Sequence, residues 1–320
     1  MAFELTKPDI SAWRSGNTGV EGVWHFDSDK PGRHVLITAL VHGNELCGAW
    51  ALMALLEAQV RPMQGKMTLA FCNLAAFDRF DLADHDASRF VDEDMNRVWV
   101  SNKLAAPATQ EARRAAELLP WIERADWLLD IHSMHESGAP LLLTGLQPRN
   151  LALAKRIGAP QHIVVDAGHQ DGLRMRDFGQ FGQANTQDAC ALLIECGFHG
   201  ANASKDVALD LAARFLMASE VVPIGLRTGH LPAKWLMPHT APQLAIQVTQ
   251  AVVSLSDHLR FTQDWQSLQI VPGAGTPIAI DGESVFVTPY DHCTLVMPSL
   301  RQLRAGVTVV RLAQQLVNDL

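Results

Sequence analysis

From residue 33 to about residue 222, short and almost wholly apolar runs alternate with longer segments whose apolar residues recur at helical spacing. The runs at 34–41, 66–72, 127–131, 141–143, 162–165 and 191–194 are mostly Val, Leu, Ile and Ala, as strands covered on both faces require. Helices are predicted between and after them at 44–57, 110–123, 151–157 and 204–221, the last opening on Ser204 and stopping at Pro223. This alternation predicts an α/β fold, a mostly parallel sheet flanked by helices.

The rhythm changes after Pro223. From Gly229 to Leu320, proline and glycine fall at short intervals among β-rich pieces at 244–255, 284–288 and 306–312. Two domains are expected: an α/β catalytic domain over 1–228 and a smaller β-rich C-terminal domain over 229–320 that caps a cleft. A chain of 320 residues is long enough for both.

Charge and cysteine usage narrow the function. A formal net charge of -8 offers no basic stripe to neutralise phosphates, so neither nucleic acid nor a membrane surface is an expected partner. Small anionic substrates stay open, because a few local arginines can dominate a pocket. The first residues have neither a basic n-region nor an apolar h-region, and the apolar runs fall short of a bilayer span. Cys47, Cys72, Cys190, Cys196 and Cys293 form no Cys-x-x-Cys pair, and free thiols in a reducing cytoplasm are expected. The oligomeric state is left open, a homo-oligomer included.

Candidate chemistry sits where the apolar runs end. The first run ends in His42-Gly43-Asn44-Glu45, the 127–131 run in Asp130-Ile131-His132, and the 191–194 run in Ile194-Glu195. In open α/β sheets, functional groups gather outside the carboxyl ends of strands. His42 and Glu45, three residues apart at a helix start, can converge on one ion. Alone, a His-x-x-Glu would be a weak signal; with the other strand ends it supplies two imidazoles and two carboxylates. That is the ligand set and base of a hydrolytic zinc site, in which one position stays open for water. His135 is not read as a ligand, because a fourth would close that position. His85, His169 and His199 are assigned surface or structural roles.

Glu195 closes a buried strand, which is costly for a carboxylate unless it is paired or faces a cleft. Its two readings are an ion pair with a helix-borne arginine and a general base that activates zinc-held water, and the second is preferred. The charge-rich segment from Arg89 to Arg97 follows the second strand and should lie beside the same strand ends. There Asn96 and Arg97 make a clamp for a substrate carboxylate, and Arg89 can steady a developing oxyanion. The glycine-rich loop 168–179 is expected to rim the pocket, with Arg174 or Arg176 reading a second polar or anionic group.

Four motifs in order carry a family resemblance: His42-Gly43-Asn44-Glu45, Arg89-Phe90-x-Asp92-x-Asp94-x-Asn96-Arg97, Asp130-Ile131-His132 and Ile194-Glu195-Cys196-Gly197. With them the chain resembles the succinylglutamate desuccinylase/aspartoacylase family, a branch of the zinc carboxypeptidase-like fold. The resemblance implies one Zn2+ per chain, held by His42, Glu45 and His132, with Glu195 as the catalytic carboxylate. It also implies oxyanion help from Arg89, substrate binding by Asn96 and Arg97, and orientation of the first zinc histidine by Asp94. Tyr290, the only tyrosine, lies where the family brings a tyrosine near the pocket.

The expected reaction is hydrolysis of the amide bond of a small anionic N-acyl amino acid. A zinc carboxypeptidase or peptide-trimming amidase is the rival enzyme, and a non-catalytic zinc or ligand-binding module is the rival from another class. The short run from Glu45 to His132 and the appended β-rich region favour the small substrate. Glu195 and Arg89 disfavour the binding module, since binding alone needs neither.

Overall fold

The strands that hold the site are buried on both faces, and that requirement sets the architecture. The computed structural model describes residues 2–168, 172–186, 188–225 and 229–316; His169, Asp171 and position 228 of the expected domain boundary lie outside them. The chain opens with β1 (Val23–Asp27) and β2 (His34–Ala39), every residue of the latter buried. Then come α1 (Leu46–Glu57), β3 (Lys66–Phe71) and α2 (Leu74–Asp78). Next are α3 (Ser101–Ala105), α4 (Gln110–Arg124), β4 (Trp127–Met134) and β5 (Leu141–Leu143). After α5 (Pro148–Ile157) and β6 (His162–Val165) run β7 (Cys190–Phe198) and α6 (Asn202–Ala218).

The rest is strand: β8 (Leu244–Val253), β9 (Arg260–Phe261), β10 (Ile270–Val271) and β11 (Pro277–Asp281). These are followed by β12 (Ser284–Val287), β13 (Cys293–Val296) and β14 (Thr308–Gln315). One sheet of eleven strands runs β1-β3-β2-β4-β7-β5-β6-β8-β14-β13-β10, and β12-β11-β9 form a second. β3, β2, β4 and β7 are parallel, while β5 runs antiparallel to β7 and parallel to β6. β6 pairs with β8 in parallel, and β8 with β14 antiparallel. The sheet therefore passes without a break from the first 200 residues into the C-terminal strands.

Apolar faces of α1, α5 and α6 pack on one side of the sheet and those of α3 and α4 on the other. Among the described residues, no helix is long and apolar enough to cross a membrane. The C-terminal strands enclose a smaller core around Trp265, Ile278 and Leu295.

Two local features place the site. In the β4–β7 ladder His132 sits opposite Glu195, which sets an imidazole beside a carboxylate. Gly43, just past β2, passes so close to the chain that a Cβ there would lie 2.3 Å from the carbonyl carbon of Ala76 and 2.4 Å from the oxygen of Ser88. Its N–H donates to the Arg89 oxygen at 3.0 Å, so this absence of a side chain brings Arg89 alongside His42. Overpacking against backbone costs about 1–3 kcal/mol, and more where nothing can yield. Gly43→Ala should therefore cost at least about 2 kcal/mol in urea unfolding; an unchanged midpoint would show that the segment yields.

Candidate metal centre and active site

Glu45 is the hub. It caps the start of α1 with only 2% of its surface exposed. One carboxylate oxygen lies 2.7 Å from His42 Nδ1, and the other lies 2.7 Å from His132 Nδ1. Arg89 Nη1 donates to Oε1 at 3.3 Å, and the Ser133 N–H donates to Oε2 at 3.3 Å. Burial pushes the Glu45 carboxyl up, but the two imidazoles outweigh it and hold the group well below the usual carboxylate range.

Each imidazole turns its other nitrogen to a second carboxylate. His42 Nε2 lies 2.9 Å from Asp94 Oδ1, and His132 Nε2 lies 2.8 Å from Asp130 Oδ2. Asp130 is in turn held by the Thr38 hydroxyl at 2.7 Å. Both Nδ1 atoms are thereby left facing Glu45, and donor atoms of His42, Glu45 and His132 all lie within 4.8 Å of one another. Two oriented imidazoles and one carboxylate, buried together, suit a divalent ion, since histidine ligands need a fixed tautomer.

A cavity of about 840 Å³ opens over this cluster. Glu195 faces it with 8% exposure, and its Oε2 is buried without a hydrogen-bond partner among the described residues. Burial and then the Glu45 charge push its carboxyl up to about 8, against the pull of His132, Arg174 and Arg89. Arg89 lines the cavity and is clamped between Glu45 and Asp94, with Nη2 donating to Asp94 Oδ2 at 3.1 Å. The segment that carries it is tied down by the buried Glu111 in the first turn of α4. Its carboxylate accepts the N–H groups of Val91, Asp92 and Glu93 and the Asn73 side-chain amide.

The cavity also gathers Asn96, Arg97 and Arg174. Asn96 Oδ1 accepts the Met175 N–H at 3.1 Å, which fixes the amide, and its Nδ2 lies 3.2 Å from His132 Nε2. His135 lines the wall between Asp86 and Arg89, and His199 is buried against the Ser133 hydroxyl. Two expected substrate-reading residues sit elsewhere. Arg176 is fully buried with Nη2 on Asp177 at 3.0 Å, and Tyr290 shares a hydrogen bond with Thr249 of β8 at 2.7 Å. Neither is among the described residues lining the cavity. In the tight turn after Arg174, the arginine two places on is drawn inward by its neighbouring carboxylate.

Other lining residues were not read from the sequence. Arg301, Arg304 and Arg311 reach the cavity from the C-terminal strands and their loops. Arg311 Nε lies 3.5 Å from Asp166 Oδ2, the atom to which Arg174 Nη1 donates at 3.0 Å. Their shared partner lies just beyond β6, in a stretch with no motif. Asp130 was visible within a motif, and its spacing of two from His132 puts both on one face of β4.

The fold and the clustered donors define a mixed α/β protein with a candidate metal centre at the carboxyl ends of its central strands. The sequence profile described as "Succinylglutamate desuccinylase/Aspartoacylase catalytic domain" matches residues 31–207, more than half the chain, and the chain belongs to that family. It is 28% identical to the succinylglutamate desuccinylase of Paraburkholderia xenovorans, over 90% of this chain and 84% of that one. It is 31% identical to the "Probable aspartoacylase" of Parasynechococcus marenigrum, over 51% of this chain and 52% of that protein, about half of each. The succinylglutamate desuccinylase structure from Vibrio parahaemolyticus superposes with a TM-score of 0.65 at 15% identity, covering 92% of this chain and 86% of that chain.

The Asp166 carboxyl is buried, which raises its pKa, but Arg174 and Arg311 hold it far below the usual range. A depressed acid stabilises the fold above its unfolded value of about 4, and that contribution is lost as pH falls towards the folded value. Asp166→Asn leaves buried cations uncompensated and should cost about 3–5 kcal/mol at pH 7. The gap to the parent protein should narrow below about pH 4; a gap independent of pH, followed by urea unfolding, would remove the charge as its cause.

Proposed function

We propose that this chain is a zinc-dependent hydrolase that cleaves the amide bond of a small N-acylated amino acid. The observation that carries this reading is the unpartnered, buried Glu195 Oε2 in the same cavity as the three clustered donors. His42, Glu45 and His132 would hold the ion. Bound there, a divalent cation supplies Lewis acidity to the acyl carbonyl and lowers the pKa of water at its open position.

The protein's own groups do the rest. Glu195 accepts a proton at Oε2 from the attacking water and returns it to the departing nitrogen, a role suited to a carboxyl whose pKa lies near the working pH. Arg89, held by Glu45 and Asp94, presents positive charge to the oxygen that gains it in the tetrahedral state. Asp94 and Asp130 keep His42 and His132 in the tautomer that leaves each Nδ1 toward Glu45. The single Nε2 hydrogen of His132 goes to the Asp130 carboxylate, since the Asn96 amide nitrogen cannot accept it. That leaves the Asn96 amide nitrogen a donor facing a donor, available with Arg97 to grip a substrate carboxylate.

A cavity of about 840 Å³ fits a small ligand, and residues 297–308 supply much of one wall. Both favour N-acyl amino acids over long peptides. A panel of N-acyl amino acids and short peptides checks this, and preferential peptide cleavage would move the assignment to a carboxypeptidase-like activity.

Glu195→Gln should lower kcat about 10²–10⁴-fold while keeping stoichiometric metal. His42→Ala should lose both metal and turnover. Chelation should abolish activity and lower the melting temperature, with zinc restoring both. A Glu195→Gln enzyme of near-parental kcat would refute the role given to that carboxylate.

A further inference from the structure

His135, the first residue past β4, stands outside the donor cluster but lines the same cavity. Its Nε2 lies 3.3 Å from Arg89 Nη1, and its Nδ1 lies 3.1 Å from Asp86 Oδ1. A guanidinium can only donate, and an ionised carboxylate can only accept. The hydrogen bond from His135 outweighs burial and holds the Asp86 carboxyl below the usual carboxylate range, so it is ionised. Both contacts therefore demand one tautomer: hydrogen on Nδ1, given to Asp86, and a bare Nε2 that accepts from Arg89. Burial pushes the His135 imidazole down, and Arg89 adds to this against Asp86, which favours the neutral ring an acceptor needs. The ring also packs edge-on against His199, with centroids 4.7 Å apart, and His199 is buried on the Ser133 hydroxyl at 2.7 Å.

Arg89 is thus held by acceptors from three segments. Nη1 carries two hydrogens and meets Glu45 Oε1 and His135 Nε2, each at 3.3 Å, while Nη2 meets Asp94 Oδ2 at 3.1 Å. Two anchors define an axis about which a guanidinium can tilt, and a third contact off that axis stops the tilt. Asp86 carries the arrangement outward. Its other oxygen accepts from Arg301 Nη1 at 3.1 Å, and Arg301 Nε donates at 2.8 Å to Glu136, the residue after His135. Arg301 belongs to the loop between β13 and β14 that walls the cavity.

We infer that His135 is a positioning residue for Arg89, and that Asp86 ties the angle of that guanidinium to the Arg301 loop. The inference rests on the oxyanion role proposed for Arg89 and deepens it: the arginine is aimed only while the wall is in place.

The test uses the N-acyl amino acid that the parent protein cleaves best. His135→Leu, which removes acceptor and donor together, should lower kcat about 10–100-fold, the loss usual for outer partners of a site. KM should stay within about twofold, as for an interaction made only in the transition state. His135→Gln, which keeps an acceptor and a donor, should recover most of that loss. Arg301→Gln should lower kcat about 2–5-fold, the size a part-exposed ion pair carries. Combined with His135→Leu it should cost nothing more, because both act through one chain of contacts.

A higher KM with kcat preserved in His135→Leu would make His135 a substrate contact and overturn the inference. So would a loss as large in His135→Gln as in His135→Leu, or effects of His135 and Arg301 that simply multiply. Nitrogen NMR of histidine-labelled parent protein, with His135→Gln to assign the signal, checks the contacts without catalysis. It should show a neutral His135 ring with its hydrogen on Nδ1; hydrogen on Nε2 or a charged ring overturns the inference. If the parent protein cleaves no N-acyl amino acid, the hydrolase reading fails, and the NMR result still decides the contacts of His135.

Discussion

The buried carboxylate of Glu45 is the constraint on which the rest of the site depends. An ionised group at 2% exposure is tolerable only with cationic and hydrogen-bonding partners around it. Its partners come from separate pieces of chain: His42 after β2, Arg89 from the loop beyond α2, and His132 with Ser133 from β4. Each piece must be correctly placed before Glu45 is satisfied. The donors are therefore pre-assembled by folding rather than gathered by a ligand. Glu111 extends that order outward by fastening residues 91–93, and with them Arg89 and Asp94, to the first turn of α4.

The continuous sheet explains how the opposite wall is built. Because β8 joins β6 in parallel and β14 joins β8, the C-terminal strands are fixed to the same frame as Glu195. The loop between β13 and β14 reaches back over the cavity, where Arg301 Nε donates to Glu136 at 2.8 Å and Nη1 to Asp86 at 3.1 Å. These pairs are partly exposed, so each contributes little energy. Their effect is to define where the wall lies. A cavity closed by strands of one sheet has less freedom to widen for a long peptide than one between two loosely joined domains.

Sequence reading succeeded where the signal was local and failed where it was distant. His42 with Glu45, and Asp130 with His132, are pairs of chemically demanding residues a few positions apart, each at the end of an apolar run. Their meeting could be anticipated from strand and helix geometry. The ends of β4 and β7 could not: the apolar runs stop at Ile131 and Ile194, but the ladder continues to Met134 and Phe198. Hydrogen bonding carries a strand through polar residues that a hydropathy pattern treats as its end. The 44–57 helix begins at Leu46 for a related reason, since Glu45 is held in the turn by its contacts with the two imidazoles. Arg311 was illegible because Asp166 and Arg174, which give it meaning, are far away in sequence and flagged by no motif. Arg176 and Tyr290 show the converse error, in which a suitable residue type near the right segment points elsewhere.

Glu45 and Glu195 both line this cavity, and their environments drive their pKa values apart. Glu45 lies between two imidazoles and an arginine, so it stays ionised despite burial. Glu195 is also buried, and that burial, together with the Glu45 charge, raises its pKa to about 8. A ligand must remain charged, whereas a proton carrier must exchange its proton near neutral pH; separated pKa values of this kind mark out such roles. Interchanging the two environments would give a ligand that tends to hold a proton and a base too weak to take one from water. The division of labour proposed for Glu45 and Glu195 therefore follows from the charges each one faces, since as side chains the two are identical.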